Sequence, residues 1–268
     1  MSERVDLYSS YADYTHAVLD AVRKETFGAD IGQNSWTTAD ELARLLPWLR
    51  LADNTHALEI ACGSGGLAVF MARTIGCRVT GTDVSESAVA TAASASAASG
   101  CAERLRFLTA DGNAALPFDD MSFDAVVCID SMNHLPDRLG VLREWRRVLR
   151  PGGRALFTDP VVITGPVTND ELALRSSIGT FLFVPPGVNE ELASRAGLGV
   201  VHREDVTDNM ASIAGRWRAA RASRADDLVR LEGQERFDGL QRFFDAVHRL
   251  SGERRLSRTA YVLEKHAA

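Results

Sequence analysis

Short apolar segments alternate with amphipathic ones from about residue 56 to residue 160 of the 268-residue chain. Apolar side chains that recur every three or four residues predict helices, and runs that are apolar at nearly every position predict buried strands. Such strands are typical of a parallel sheet with helices on both faces. The pattern predicts strands over residues 56–62, 77–83, 105–110, 123–129 and 154–158, and helices over 65–75, 85–99 and 138–149.

The two ends of the chain do not follow this alternation. The pattern of residues 4–28 predicts a helix. Thr38 is a suitable N-cap for a second helix, and Glu41 is placed to complete a capping box with it. After residue 160 the pattern predicts one helix and two further strands, over 189–196, 199–206 and 258–264 respectively. Residues 208–252 are helical in pattern and far longer than the dozen or so residues that a crossover needs. We therefore expect them to form a helical cap over the strand ends.

This organisation predicts three parts. An N-terminal helical cap occupies residues 1–50, and a cofactor-binding α/β core occupies residues 51–160. The rest of the sheet follows over residues 161–268 and includes the helical insertion at about 208–252. The two late strands bring the predicted sheet to seven.

The clearest local signal is the glycine turn after the first strand. Gly63, Gly65 and Gly66 separate that strand from the next helix, an arrangement that brings backbone N–H groups close to a ligand. Glu59 lies inside the strand, and Asp83 ends the following strand, where a carboxylate can accept hydrogen bonds from a ribose diol. These features predict a site for a nucleotide-type cofactor.

Two cofactor classes fit this turn poorly. A dinucleotide fingerprint, G-x-G-x-x-G, would need a third glycine where Ala68 stands, and the phosphate-binding pattern G-x-x-x-x-G-K-[ST] is absent. The carboxylate of Glu59 would repel a diphosphate, whereas it would attract a cationic ligand. A nicotinamide-dependent dehydrogenase is therefore the weaker alternative.

The pattern E-x-A-x-G-x-G that begins at Glu59, followed by Asp83, resembles motifs I and II of the class I S-adenosylmethionine-dependent methyltransferases. Ala61 departs from the motif, because glycine is most common there. The resemblance extends over residues 55–160 and implies a Rossmann-like, doubly wound α/β fold with a mostly parallel sheet of seven strands and a helical cap. The cofactor-binding residues that it implies are Glu59, Ala61, Gly63, Gly65, Asp83, Val84, Asp111, Gly112, Asn113 and Asp130.

The resemblance also implies roles for these residues. Glu59 and the glycine turn would flank the methionine moiety of S-adenosylmethionine, Asp83 would hold the ribose hydroxyls, and Asp111 the adenine amino group. Val84 and Asn113 would pack beside the adenine. The segment that starts at Asp130 would border both the cofactor and the acceptor.

Outside the core, the sequence resembles methyltransferases that enclose a small molecule. The expected substrate residues are Tyr11, Gln33, Trp36 and His134. His134 is the candidate catalytic base, but a residue that supports the cofactor pocket is the favoured interpretation. A base is required only if the accepting atom carries a proton. The basic stretch Arg216, Arg218, Arg221 and Arg224 is interpreted as a solvated helix face, or as the source of one inward arginine that binds a substrate carboxylate or phosphate.

Composition excludes several other functions. A net charge of −6 argues against a nucleic-acid partner, and no apolar run reaches the roughly 18 residues that a membrane helix needs. The four cysteines show no C-x-x-C pairing, so no metal site is expected. With no signal sequence, we expect a cytoplasmic monomer or homodimer.

The sequence thus predicts methyl transfer to nitrogen or oxygen of a small molecule. Carbon or sulfur methylation and a non-catalytic S-adenosylmethionine-binding partner protein stay open as alternatives.

Overall fold

A seven-stranded sheet forms the centre of the molecule, in a computed structural model that describes residues 14–266. Its strands are β1 (His56–Ile60), β2 (Arg78–Asp83), β3 (Leu105–Thr109), β4 (Phe123–Cys128), β5 (Leu149–Ile163), β6 (Gly199–Asp205) and β7 (Leu256–Glu264). They lie in the order β3-β2-β1-β4-β5-β7-β6. Strands β1 to β5 are parallel, and β7 is antiparallel to both of its neighbours. The predicted doubly wound, mostly parallel sheet is confirmed.

Helices connect and cover these strands. They are α1 (Ala17–Phe27), α2 (Ala39–Leu45), α3 (Gly66–Thr74), α4 (Glu86–Ala97), α5 (Arg138–Val148), α6 (Asn169–Arg175), α7 (Val188–Arg195), α8 (Thr207–Ala222), α9 (Ala225–Glu232) and α10 (Gln234–Gly252). Short 3₁₀ turns occupy Leu46–Leu49, Ala102–Arg104 and Met132–His134. Within the described residues, no helix combines the length and the apolar composition that crossing a membrane would require.

Strand β4 shows why the core strands are apolar at nearly every position. Val126 and Cys128 point into an apolar cluster with Trp145 of α5, whereas Ala125 and Val127 point into a cluster on the other face with α3. Successive side chains of a strand alternate between faces, so both sets must be apolar when both faces are covered.

Two predicted boundaries were wrong. The first helix was expected over 4–28. Residues 4–13 lie outside the described residues, but residues 14–16 are not helical, and the helix begins at Ala17, where the ring of His16 caps it by accepting a hydrogen bond from the Val18 N–H. Strand β5 was expected over 154–158, but it runs from Leu149 to Ile163. Antiparallel pairing with β7 covers Arg154–Ile163, and Leu149 pairs with Phe123 of β4. Pro160 lies where the register of the pairing with β7 shifts.

The segment 208–252 folds into helices α8, α9 and α10. Helices α8 and α10 pack against each other and join an apolar cluster that includes Phe27 and Trp36.

Residues 39–49 were expected in the N-terminal cap, but they pack in a different apolar cluster from Phe27 and Trp36. Their leucines pack into the sheet core beside α3 and β1.

A buried arginine on β7 links three distant segments. Arg258 has no exposed surface, and its guanidinium donates to Glu41 Oε1 at 2.6 Å, to Asp130 Oδ1 at 2.7 Å and to the hydroxyl of Thr37. The predicted capping box is therefore only half formed. The hydroxyl of Thr38 accepts from the Glu41 N–H at 3.2 Å, but the Glu41 carboxylate binds Arg258 and Asn209.

We expect Arg258→Met to lower the free energy of unfolding by about 3–5 kcal/mol, because it strands two buried carboxylates. Urea titration followed by circular dichroism measures this. The control is Arg218→Ala, which removes a half-exposed pair with Asp245 and should cost less than about 1 kcal/mol. Equal losses in the two variants would contradict the proposed importance of the buried cluster.

Candidate functional site: two cavities at the carboxyl edge of the sheet

Two cavities meet at the carboxyl ends of the central strands, where ligands bind in open α/β sheets. The glycine-turn cavity, of about 110 Å³, is lined by Glu59 and by residues 61–64 among others. The aromatic cavity, of about 300 Å³, is lined by Trp36, Phe181, Phe243 and other residues. Four residues line both cavities and form their common wall, namely Asn34, Ser35, Asp130 and His134.

The backbone of the glycine turn is left-handed at several positions. Gly63 has φ of 51°, and Gly65, which precedes α3, has φ of 78°. A Cβ on Gly65 would lie 2.8 Å from the Cβ of Ala92, so the turn leaves no space for a side chain there. Ala61 also has φ of 55°, which explains why glycine suits this position better than alanine.

Glu59 is a buried acid of this site with a strongly raised pKa. It lies on β1, it is 4% exposed, and its Oε2 has no hydrogen-bond partner among the described residues. Burial, together with the nearby charge of Asp83, raises the pKa of Glu59 from 4.5 to about 8. Near neutral pH this carboxyl therefore holds a proton, and a cationic group beside it would favour the loss of that proton.

Asp83 connects the glycine turn to the end of β2. Its Oδ2 accepts a hydrogen bond from the Gly63 N–H at 2.9 Å, and its Oδ1 accepts from the Ser85 N–H at 2.9 Å. Ser85 in turn caps α4. Each carboxylate oxygen can accept more than one hydrogen bond, so Asp83 keeps acceptor capacity for a ligand.

Four further predicted residues lie on an open rim next to Asp83. The rim follows from the pairing of β2 with β3, in which Asp83 is opposite Thr109. Val84 is 69% exposed, and Asp111 is exposed and accepts from the Asn113 N–H at 2.8 Å. A Cβ on Gly112 would lie 2.9 Å from Ile60 Cγ2. The rim residues Val84, Asp111, Gly112 and Asn113 line neither of the two cavities.

Asp130 belongs to the wall between the cavities. It adopts φ of 53°, and its Oδ1 accepts from the Thr158 hydroxyl and from Arg258 Nε–H, both at 2.7 Å. Its Oδ2 accepts from the Trp36 N–H at 2.8 Å. Asp130 thus fixes the backbone at Trp36, whose indole stacks on Phe243 with ring centroids 6.1 Å apart.

The other predicted substrate residues divide between the cavities. Gln33 lines the glycine-turn cavity, and its Oε1 accepts from the Ile31 N–H at 2.8 Å. Trp36 lines the aromatic cavity together with Tyr14. Tyr11 lies outside the described residues, so the structure does not place it.

His134 is half-buried in the common wall. Its Nδ1–H donates to the Thr180 carbonyl at 3.0 Å, and its ring lies 4.6 Å from that of Phe181. Burial is the main cause that lowers the pKa of His134 to about 4. The imidazole is therefore neutral at physiological pH and a weak base.

Sequence reasoning missed Arg175, the last residue of α6. Arg175 is 1% exposed and lines the aromatic cavity. The signal available was the capping box formed by Thr168 and Glu171, which predicts a short helix ending near this arginine. In the basic stretch 216–224, one arginine does face inward: Arg221 lines the same cavity, paired with Glu232.

Comparisons with known proteins bear on the same region. Residues 57–153 match a family model described as a methyltransferase domain. The chain is 31% identical over 205 residues to glycine/sarcosine/dimethylglycine N-methyltransferase of Actinopolyspora halophila, covering 76% of this chain and 36% of the relative. It is 36% identical over 171 residues to 27-O-demethylrifamycin SV methyltransferase of Amycolatopsis mediterranei strain S699, covering 63% of this chain and 61% of the relative. The match therefore spans about one third to three fifths of these relatives.

A solved structure shows how far the whole fold is shared. The cyclopropane synthase MmaA2 from Mycobacterium tuberculosis superposes with a TM-score of 0.81, covering 97% of this chain and 99% of that chain at 17% identity. At that identity the likeness shows the fold alone. The family match, by contrast, covers the strands and the turn that build the glycine-turn cavity. Residues 57–153 form a domain of the class I S-adenosylmethionine-dependent methyltransferase family, whose cofactor is S-adenosylmethionine.

Proposed function

We propose that this chain transfers a methyl group from S-adenosylmethionine to a nitrogen or oxygen atom of a small molecule. The observation that carries the proposal is the common wall, because Asp130 and His134 border both the glycine-turn cavity and the aromatic cavity. A cofactor in the first and an acceptor in the second would meet there. One relative is named as an N-methyltransferase of small amino acids, which supports the acceptor class.

The glycine-turn cavity suits the methionine end of the cofactor. Glu59 offers a buried carboxyl oxygen that lacks a partner among the described residues, and a cationic ligand group would satisfy it. We assign Glu59, Ala61, Gly63 and Gly65 to this end. Asp130 would border it, although its carboxylate is already engaged by Arg258 and Trp36.

The open rim suits the adenosine end. We assign Asp83 to the ribose hydroxyls and Asp111 to the adenine amino group, since both keep carboxylate acceptor capacity at the strand ends. The exposed isopropyl group of Val84 offers an apolar surface for an aromatic base. Asn113 and the backbone of Gly112 would lie beside the same ring.

The bound cofactor supplies a methyl group already activated on a sulfonium, so proximity and orientation can provide most of the rate. The chain's own residues then have to hold the acceptor and exclude water. We assign this task to Trp36 and His134, which line the aromatic cavity, with Tyr11 as a further expected contact, whereas Gln33 lines only the glycine-turn cavity. A histidine with a pKa of about 4, whose Nδ1–H already donates to Thr180, fits a positioning role better than that of a base.

Two alternatives use the same site. Carbon methylation would need the same cofactor and the same two cavities. A cofactor-binding protein without turnover would use the same acids. Because the net charge is −6, we propose no nucleic-acid partner, and we propose a cytoplasmic monomer or homodimer.

Turnover separates these alternatives. We expect transfer of a labelled methyl group from S-adenosylmethionine to amine or hydroxyl acceptors in a small-molecule panel, with stoichiometric S-adenosylhomocysteine, measured by mass spectrometry. Label on carbon would contradict the proposed acceptor atom. Tight NAD binding without any response to S-adenosylmethionine would contradict the whole proposal.

Glu59 should couple cofactor binding to proton release. Because its pKa is raised to about 8, binding of a cationic ligand should release a proton near pH 7, and affinity should rise up to about tenfold per pH unit between roughly pH 6 and 8. Calorimetry in two buffers of different ionisation enthalpy measures the release. Glu59→Gln should remove this contribution and weaken binding.

The raised pKa of Glu59 also makes the stability of the free protein depend on pH. Stability falls as the pH rises, whereas cofactor affinity rises. Stability associated with protonated Glu59 is present below pH 4.5 and is lost as the pH rises through about 8. Glu59→Gln should therefore unfold at a higher temperature than the wild type at pH 8 and at a similar temperature near pH 5. An identical pH profile in both proteins would show that Glu59 is not the group responsible.

His134→Ala should raise KM for the acceptor while kcat falls less than about tenfold, because an aromatic wall is lost but no base. His134→Phe, which restores an aromatic ring without a basic nitrogen, should recover most of the KM effect. Steady-state kinetics from about pH 6 to 9 provide the test. A loss of 10²–10⁴-fold in kcat at constant KM is the result expected of a general base instead.

A further inference from the structure

Arg175 differs from the other buried arginines of the described chain. Its Nε, Nη1 and Nη2 atoms have no hydrogen-bond partner among residues 14–266, although a guanidinium carries five N–H donors. Arg138 binds Asp159 and Asn189, and Arg258 binds Asp130 and Glu41. A buried charge without a partner is costly, so such a group is expected to have a ligand.

The surroundings of Arg175 are aromatic. Its guanidinium carbon lies 4.8 Å from the ring centroid of Phe181, 5.2 Å from that of Phe243 and 5.9 Å from that of Trp36. These rings attract the cation through their faces, but they leave its N–H donors unused. Burial lowers the pKa of Arg175 to about 10, so the side chain remains charged at neutral pH.

The nearby acids are already engaged. Asp130 binds Arg258, the Trp36 N–H and the Thr158 hydroxyl. Asp159 binds Arg138 and Asn189. Across the aromatic cavity, Glu232 pairs with Arg221. None of these three nearby carboxylates is therefore left to pair with Arg175.

We propose that Arg175 binds a carboxylate of the acceptor molecule, and that the acceptor has an aromatic or otherwise apolar body. The planar fork of one guanidinium matches one carboxylate with two parallel hydrogen bonds. A phosphate dianion would need a second uncommitted cation. The other arginines of the aromatic cavity do not provide it. Arg23 pairs with Asp30, Arg221 pairs with Glu232, and Arg236 lies 3.9 Å from the Glu232 carboxylate.

This inference rests on the proposed function, since it names the class of acceptor for the same site. His134 links the two regions, because its ring contacts Phe181 and it also lines the glycine-turn cavity. The charge of Arg175 contributes to the lowered pKa of His134, which places the two side chains within electrostatic reach. A carboxylate held at Arg175 would therefore orient the rest of the acceptor relative to the common wall.

Binding can be tested without turnover, using phenylacetate and its neutral isostere phenylacetamide as probes. Calorimetry on the full chain should show phenylacetate binding roughly 10- to 100-fold more tightly, as expected for hydrogen bonds to a charged group. In Arg175→Gln this preference should disappear, with the phenylacetamide affinity changed less than about twofold. Arg218→Gln is the control, because it removes a half-exposed arginine of α8 without stranding a buried carboxylate, and it should keep the preference.

Three outcomes would overturn the proposal: no detectable binding of phenylacetate, equal affinity for the two probes, or an unchanged preference in Arg175→Gln. A third probe, phenyl phosphate, must bind more weakly than phenylacetate, and the reverse order would reject a carboxylate. Glu3 and Asp6 lie outside the described residues, so the titration is repeated on a Glu3→Gln, Asp6→Asn variant. Carboxylate preference that appears only in this variant would show that Arg175 pairs with the chain itself.

A folding readout keeps the test independent of the probes. Because Arg175→Gln removes a buried charge without a described partner, its unfolding temperature should equal or exceed that of the wild type. A marked decrease would show a structural role and contradict ligand binding. None of these measurements uses methyl transfer, so a failure of the proposed function and a failure of the carboxylate site are distinguishable.

Discussion

The buried cluster around Arg258 sets the geometry on which the site depends. One guanidinium on β7 reaches Asp130, Glu41 and Thr37, which come from the end of β4, from α2 and from the segment before it. Asp130 then uses its other oxygen to hold the Trp36 N–H. Buried charges thus fix the wall shared by the two cavities. These groups can stay charged when buried only because each has an oppositely charged partner.

The sequence predicted the parts of the site that depend on local chemistry. Glu59, Asp83 and Asp130 lie at strand ends that short-range patterns locate, and the glycine turn specifies the positive φ of Gly63 and Gly65. The family resemblance added the cofactor, which the comparisons support. The doubly wound, mostly parallel sheet also followed, since alternating strands and helices restrict the possible topologies.

Features that depend on distant partners were not predictable in this way. The extension of β5 to Ile163 follows from its pairing with β7, about a hundred residues later, and the role of Glu41 follows from Arg258. The rings around Arg175 belong to residues 36, 181 and 243. These positions are too far apart in the sequence for a local pattern to connect them. Tertiary contacts of this kind override the local preferences that a capping box or a helical period expresses.

The open rim has a consequence for the order of events in turnover. Val84 and Asp111 are exposed, whereas the aromatic cavity is lined by residues of α8 and α10 and by Trp36. If the rim holds adenosine as proposed, spent cofactor can leave and fresh cofactor can enter without passing through the aromatic cavity. The fold would then permit processive methylation, in which one acceptor stays in place while several cofactor molecules are exchanged beside it.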